Sequence, residues 1–220
     1  MRLRHSTHRL SRQAGLPPGT PINLGDDEKT AARFSGFCYT SDTAEEIRDA
    51  TVDSVLDRRN ETAVTWLDMV GVSDIAALQA LGTKLGIHPL VLEDIANTEQ
   101  RAKVEFYDDY IYVTLKMLRK PEGSAVVAEH VSILVFPDAV ITFQEESGDV
   151  FELIRSRIRN NLGRIRRMSS DYLAYALIDA IVDNYYGILE TFEGALEPLS
   201  EAVVTEPKQG LANDLLVIKR

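Results

Sequence analysis

Carboxylates carry most of the chemistry this sequence could do. Glu93 and Asp94 stand side by side in His88-Pro-Leu-Val-Leu-Glu-Asp-Ile-Ala-Asn97. Pro89 suits the first turn of a helix, and His88 just before it is a candidate N-terminal cap. Neighbouring residues on a helix point about 100° apart, so this pair cannot close on one ion from one helix. One carboxylate would face a cleft while the other faces a partner. The plainer reading is an amphipathic helix with a solvated acidic edge, and spacing leaves both open.

A second set of carboxylates runs along a long helical stretch. Asp179 and Asp183 are four residues apart, and Glu190, Glu193, Glu197 and Glu201 continue at three- and four-residue spacings. Like charges so placed cost a helix a few tenths of a kcal/mol each, about 0.2–0.5. The stripe is either a solvated face or a surface that gathers hydrated divalent cations. Arg155, Arg157, Arg159, Arg164, Arg166 and Arg167 form a basic cluster. It lacks the interleaved aromatics of a base-stacking surface, so pairing with the acidic helices is the expectation.

Other chemistries are missing from the sequence. There is no phosphate-binding G-x-x-x-x-G-K-[ST] loop, no G-x-G-x-x-G, no G-x-S-x-G and no H-E-x-x-H. The four histidines, at 5, 8, 88 and 130, have no paired ligand spacing, which argues against a zinc site. The single Cys38 excludes an internal disulfide framework. A formal net charge of −10 argues against general affinity for nucleic acid or anionic lipid. The longest apolar run, Tyr172 to Ile178, has seven residues, far short of the roughly 20 a membrane helix needs.

The elements that position these residues follow from periodicity and breakers. Residues 1–25 hold four Arg and no acid, and with Gly15-Leu-Pro-Pro-Gly19 they suggest a mobile basic arm over residues 1–20. Arg33 to Thr40 and Ala63 to Val70 are strand-like. Thr43-Ala-Glu-Glu46 has the capping-box pattern of a short helix. Asp74 or Ser73 caps a helix to Leu85, ended by Gly86, and Pro89 to Asn97 forms another. Three strands follow: Tyr110 to Leu118, then a hairpin of Val126–Phe136 and Ala139–Gln144 about Pro137-Asp138, with Asp108-Asp109 in an earlier turn. Val150, Leu153, Ile154, Ile158 and Leu162 sit at helical spacing. A long helical run from about Ser170 to Val204 is expected to kink or divide at Pro198. Gly210 to Arg220 begins another helix, and a chain that stops there reads as cut. Strands mixed with helices, then helices alone, suggest an α/β or α+β domain with a helical extension.

The stretch from His88 through Glu93-Asp94, Arg101-Ala-Lys103-Val-Glu-Phe-Tyr-Asp-Asp-Tyr110 to Lys116-Met117 closely resembles the cytoplasmic domain of CorA-family magnesium channels. Leu16-Pro-Pro-Gly-Thr20, Phe143-Gln-Glu145 with Gly148-Asp-Val-Phe151, Asp171 to Asp183 and Leu215 to Arg220 add to the resemblance. It implies an α/β/α sandwich with a mixed sheet over residues 21–165. Long acidic helices over 166–206 and the start of a stalk helix at 210–220 would follow. It implies a homopentamer at the cytoplasmic face of the cell membrane, anchored only through helices downstream of residue 220. It also implies an Mg2+ sensor between subunits, mapped onto Glu93, Asp94 and Asp179, and completed by an aspartate beyond residue 220. Bound Mg2+ would favour the closed channel. Co2+ and Ni2+ are further cations of this reading, and Zn2+ belongs to the family's zinc-transporting branch. The rivals are a carboxylate enzyme using Glu93 with Asp179, and a pure assembly module whose acids are only solvated. Glycoside hydrolysis, for example, needs its two carboxyls about 5–9.5 Å apart in one cleft.

Overall fold

The computed structural model describes residues 19–21, 31–57, 59, 63–120 and 125–205. Strand β1 (Arg33–Tyr39) turns into β2 (Ala44–Ala50), followed by the short α1 (Val52–Leu56) and β3 (Val64–Val70). Helices α2 (Ile75–Leu85) and α3 (Pro89–Ala96) come next, then β4 (Lys103–Phe106), β5 (Ile111–Arg119), β6 (Val127–Val135) and β7 (Ala139–Gln144). Helix α4 (Glu152–Arg159), a 3-10 turn at Ile165–Arg167 and the long α5 (Ser170–Thr205) complete the order.

Seven strands form one sheet in the order β2-β1-β3-β7-β6-β5-β4. The β3–β7 pair is parallel, with Thr65 opposite Ala139 and Val70 opposite Gln144, and the other neighbours are antiparallel. The sheet is therefore mixed, as the resemblance implied, with helices on both faces.

Each face owns a core because side chains alternate along a strand. Leu67, Met69, Tyr112, Leu134, Ile141 and Phe143 point to one side, where Leu78 and Leu81 of α2 and Val91, Leu92 and Ile95 of α3 cover them. Trp66, Met117, Val131, Ile133 and Val140 point to the other. There they meet Ile154 and Ile158 of α4 and Leu173, Leu177 and Ile181 of α5. Helices α3 and α5 thus lie on opposite faces of the sheet. At 1.5 Å per residue a 36-residue helix is about 54 Å long. Among its described side chains Ile188 is the last that is buried, and those from Leu189 to Glu197 are exposed, so this stretch of α5 outruns the sheet that anchors it.

Local signals start and stop α2 and α3 as the sequence predicts. The Asp74 carboxylate accepts the Ala77 N–H at 3.1 Å, and Gly86 ends α2 at φ +67°. His88 caps α3, its Nδ1 accepting the Leu90 N–H at 3.2 Å. Asp108-Asp109 sits in the turn between β4 and β5, and Pro137-Asp138 in the turn between β6 and β7.

Three expectations need correction. Thr43 to Glu46 does not begin a helix: Ala44–Ala50 is an edge strand paired with β1. The Thr40 hydroxyl accepts the Thr43 N–H at 3.1 Å and closes a hairpin turn, so the polar cluster serves the turn and not a helix cap. Lys103–Phe106 is a strand that the sequence reading did not expect. It has only four residues, and its apolar Val104 and Phe106 are exposed, so burial left no signal. Of the two outcomes expected at Pro198, division does not occur: helix α5 is continuous from Ser170 to Thr205, because a proline removes one backbone hydrogen bond and the turns on either side persist. The proposed arm at 1–20 lies outside the described residues apart from Gly19 and Thr20, and so does the helix expected at 210–220.

Candidate functional site

Helix α3 buries Val91, Leu92, Ile95 and Ala96, which leaves Glu93 and Asp94 half-buried on its outer side. The two carboxylates diverge, as helix geometry requires. Glu93 Oε2 accepts the Gly19 N–H at 2.6 Å and so holds the 19–21 segment against α3. Gly19 has φ +82°, and a Cβ there would lie 2.9 Å from Pro89 Cβ, so both the conformation and the close approach call for glycine.

Asp94 faces β4. Its Oδ2 accepts from the Lys103 ammonium at 2.6 Å, and its Oδ1 accepts from Gln100 Nε2. The same ammonium donates to Glu105 Oε1 at 2.9 Å and stands 5.6 Å from the Tyr112 ring centre. Register explains this meeting. Lys103 pairs with Thr114 and Glu105 with Tyr112, so both project to the α3 side, while Val104 and Phe106 project to the other. Burial by itself would lower the Lys103 pKa. The hydrogen bonds and charges of Asp94 and Glu105 outweigh it and hold the ammonium above the ordinary lysine range. Tyr107 donates to Glu105 Oε2 at 3.2 Å and stacks on Tyr110, whose hydroxyl accepts the His88 N–H at 3.0 Å. The acidic face of α3 and its histidine cap are thereby tied into one polar and aromatic cluster.

Asp179 is exposed on α5, as is Asp183. Because α3 and α5 cover opposite faces of the sheet, one copy of the chain does not bring Asp179 to Glu93 and Asp94. Among the described residues no three His, Cys, Asp or Glu side chains converge as a metal site. The enzyme rival asks for Glu93 and Asp179 in one cleft, and a single chain does not build it.

Glu190, Glu193 and Glu197 are exposed as expected, while the Glu201 side chain lies outside the described residues. The outer surface of α5 is not purely acidic. These three carboxylates border a groove of about 680 Å³ that Tyr186, Leu189, Phe192 and Leu196 also line. Tyr175, Val182, Leu189 and Leu196 are exposed at seven-residue spacing. That spacing is a helix-contact pattern visible in the sequence, interleaved with the acids of the same helix.

The arginine cluster pairs elsewhere than predicted. Arg155 spans Asp149 by two hydrogen bonds, at 2.7 and 2.5 Å, reaches Asp68 at 3.2 Å and lies over Trp66. Arg159 pairs with Glu46 and Glu152, and Arg166 donates to the carbonyls of Ile158 and Arg159. Burial, then the nearby Asp149 charge, pushes Asp68 up to about 6, against hydrogen bonds from Thr142 and Gln144 and the Arg155 charge. These groups lock α4 to the sheet.

The donors on α3 are carboxylate oxygens, the ligand type a hard cation such as Mg2+ prefers. A carboxylate has about four lone-pair sites, and Asp94 already uses one on each oxygen. Such donors suit an ion that keeps part of its water shell.

Comparison with known proteins identifies the class. Residues 61–220 match the family model described as "CorA-like Mg2+ transporter protein". The chain is 38% identical over 213 residues to the "Cobalt/magnesium transport protein CorA" of Thermotoga maritima, covering 96% of this chain and 60% of that protein. The fold resembles the complete CorA magnesium transporter from Methanocaldococcus jannaschii, at TM-score 0.63 and 15% identity, over 85% of this chain and 56% of that one. It also resembles the ZntB cytoplasmic domain from Vibrio parahaemolyticus, at TM-score 0.58 and 16% identity, over 86% and 74% of the two chains. The chain belongs to the CorA family. It spans about 60% of the length of its Thermotoga relative. No helix among the described residues is long and apolar enough to cross a membrane.

Proposed function

We propose that this chain is the regulatory, Mg2+-sensing domain of a homopentameric divalent-cation channel at the cytoplasmic face of the cell membrane. Glu93, Asp94 and Asp179 form the sensor at the seam between copies, Glu93 and Asp94 each facing a neighbouring subunit rather than sharing one ion, and bound hydrated Mg2+ favours the closed state. The observation that carries this reading is the division of the three carboxylates between opposite faces of one sheet. A single copy offers only parts of a site, and a second copy is needed to complete it. The distal acids Asp183, Glu190, Glu193, Glu197 and Glu201 raise the local cation concentration.

The energetics have the right sign. Two carboxylates about 4 Å apart at a surface-like dielectric repel by roughly 4 kcal/mol, and an ion between them turns repulsion into attraction. Neighbouring copies are then held together when Mg2+ is plentiful and separate when it is scarce. The gate responds because the ion binds one arrangement better than the other. Oxygen-only donors suit a hard, hydrated ion such as Mg2+, whereas Zn2+ takes nitrogen and sulfur ligands readily; Co2+ and Ni2+ are further candidates for the same site.

The test is Mg2+-dependent protection of the full-length protein from limited proteolysis, with Asp94→Asn beside the unaltered protein. Protection that rises with Mg2+ in the parent and is lost in the variant supports the reading. Equal protection in both refutes it.

A further inference from the structure

The Lys103 ammonium occupies the carboxylate that the proposed sensor would use, and it is held there by design of the fold. Its anchor, β4, is hydrogen-bonded to β5 in a register that fixes Lys103 and Glu105 on the α3 side. The side chains of Asp94 and Lys103 are 17% and 30% exposed, so water screens the pair only partly. A divalent ion arriving at Asp94 meets a fixed positive charge 2.6 Å from its ligand oxygen. It must displace that charge or suffer its repulsion.

We propose that Lys103 is a tethered competitor cation: it neutralises Asp94 when divalent ions are scarce and yields to Mg2+ when they are plentiful, setting the concentration at which the sensor responds. The proposal rests on the reading of Asp94 as a sensor ligand. The geometry also supplies a place for the displaced charge. The ammonium already touches Glu105 Oε1 at 2.9 Å, and a small rotation about the end of the side chain leaves it on Glu105 with its charge still paired. Gln100, the other donor to Asp94, is neutral and offers an incoming cation no repulsion. Lysine suits this exchange because its ammonium is a compact charge on a flexible stem, whereas arginine would grip the carboxylate in two places.

The two halves of the mechanism predict opposite shifts. Removing the competitor in Lys103→Met lowers the half-maximal Mg2+ concentration for protease protection of the full-length protein by about tenfold. Removing the resting place in Glu105→Gln raises it by about threefold, because the ammonium then has only Asp94. In the double variant the Glu105→Gln effect disappears, since no ammonium remains to be parked. Lys103→Gln is read in place of Lys103→Met if the latter melts below the parent in the absence of Mg2+. An unchanged or raised half-maximal concentration on loss of Lys103 overturns the proposal, as does a Glu105→Gln effect that persists in the double variant. Asp94→Asn separates this failure from failure of the sensor reading. If Asp94→Asn abolishes the response while loss of Lys103 leaves it unmoved, the lysine role alone is wrong. If Asp94→Asn keeps the response, the sensor assignment falls first and the lysine proposal with it.

Discussion

Arg155→Met removes the only cation hydrogen-bonded to Asp68 and Asp149 among the described residues, so its cost can be reasoned from the contacts it breaks. Three charge-assisted hydrogen bonds, at 2.7, 2.5 and 3.2 Å, are lost, and two shielded carboxylates are left facing one another. Breaking a buried pair by removing one partner costs about 3–5 kcal/mol. The loss depends on pH, with a definite sign. In the parent, Asp68 is pushed up to about 6, above its unfolded value, so ionising it weakens the fold as pH rises through that window. Burial would raise Asp149 too, but the hydrogen bonds and charge of Arg155 outweigh it and hold Asp149 low. Its contribution is present above the ordinary carboxylate range and fades as pH falls through its depressed pKa. Without Arg155 both carboxyls move upward, and each proton that must be given up costs about 1.4 kcal/mol per pH unit between the folded and unfolded values. Urea unfolding of the chain at pH 5.5 and pH 8 should therefore show a larger destabilisation at pH 8. A loss under about 1 kcal/mol, or an equal loss at both pH values, would refute the argument that Arg155 neutralises this pair.

Asp74→Ala removes the α2 cap and the acceptor of the Ala32 N–H, so it should cost about 1–2 kcal/mol and lower the melting temperature by roughly 2–8 °C. Melting within about 1 °C of the parent would show that neither bond contributes. Gly19→Ala puts a Cβ into Pro89 at a left-handed backbone position and should free the 19–21 segment from α3. The readout is faster amide exchange at position 19 and at the start of α3, with little change in the sheet, and unchanged exchange would contradict the close approach.

The parts of this fold that the sequence announces are those fixed by neighbours along the chain. Asp74 bounds α2 through its side-chain carboxylate, Gly86 and Pro89 bound α2 and α3 through their backbone conformation, and Pro137-Asp138 marks its hairpin just as locally. The parts it conceals are fixed by distant partners. Thr43 to Glu46 satisfies a helix-cap pattern, yet pairing with β1 decides its conformation. The union of Asp68, Asp149 and Arg155 joins β3, the loop before α4 and α4 itself, and no spacing rule connects Asp68 to the other two.

The candidate site divides along the same line. That Glu93 and Asp94 point apart follows from the helix alone. Their occupants, Gly19, Gln100 and Lys103, come from segments folded back onto α3. Lys103-Val-Glu105 did carry a legible trace, since residues two apart in a strand share a face, but four residues were too few to announce a strand. That Asp179 belongs to the other side of the sheet could not be read from its spacing along α5.

The central claim is that the sensor is shared between copies, and mixed assemblies test it most directly. Full-length subunits carrying Asp94→Asn are combined with subunits carrying Asp179→Asn, and Mg2+-dependent protease protection is measured for each variant alone and for the mixture. Each variant alone should lose the response. The mixture should regain part of it, because some seams then join an intact Asp94 of one copy to an intact Asp179 of the next. A mixture as unresponsive as its components, or either variant alone responding like the parent, would contradict the shared site.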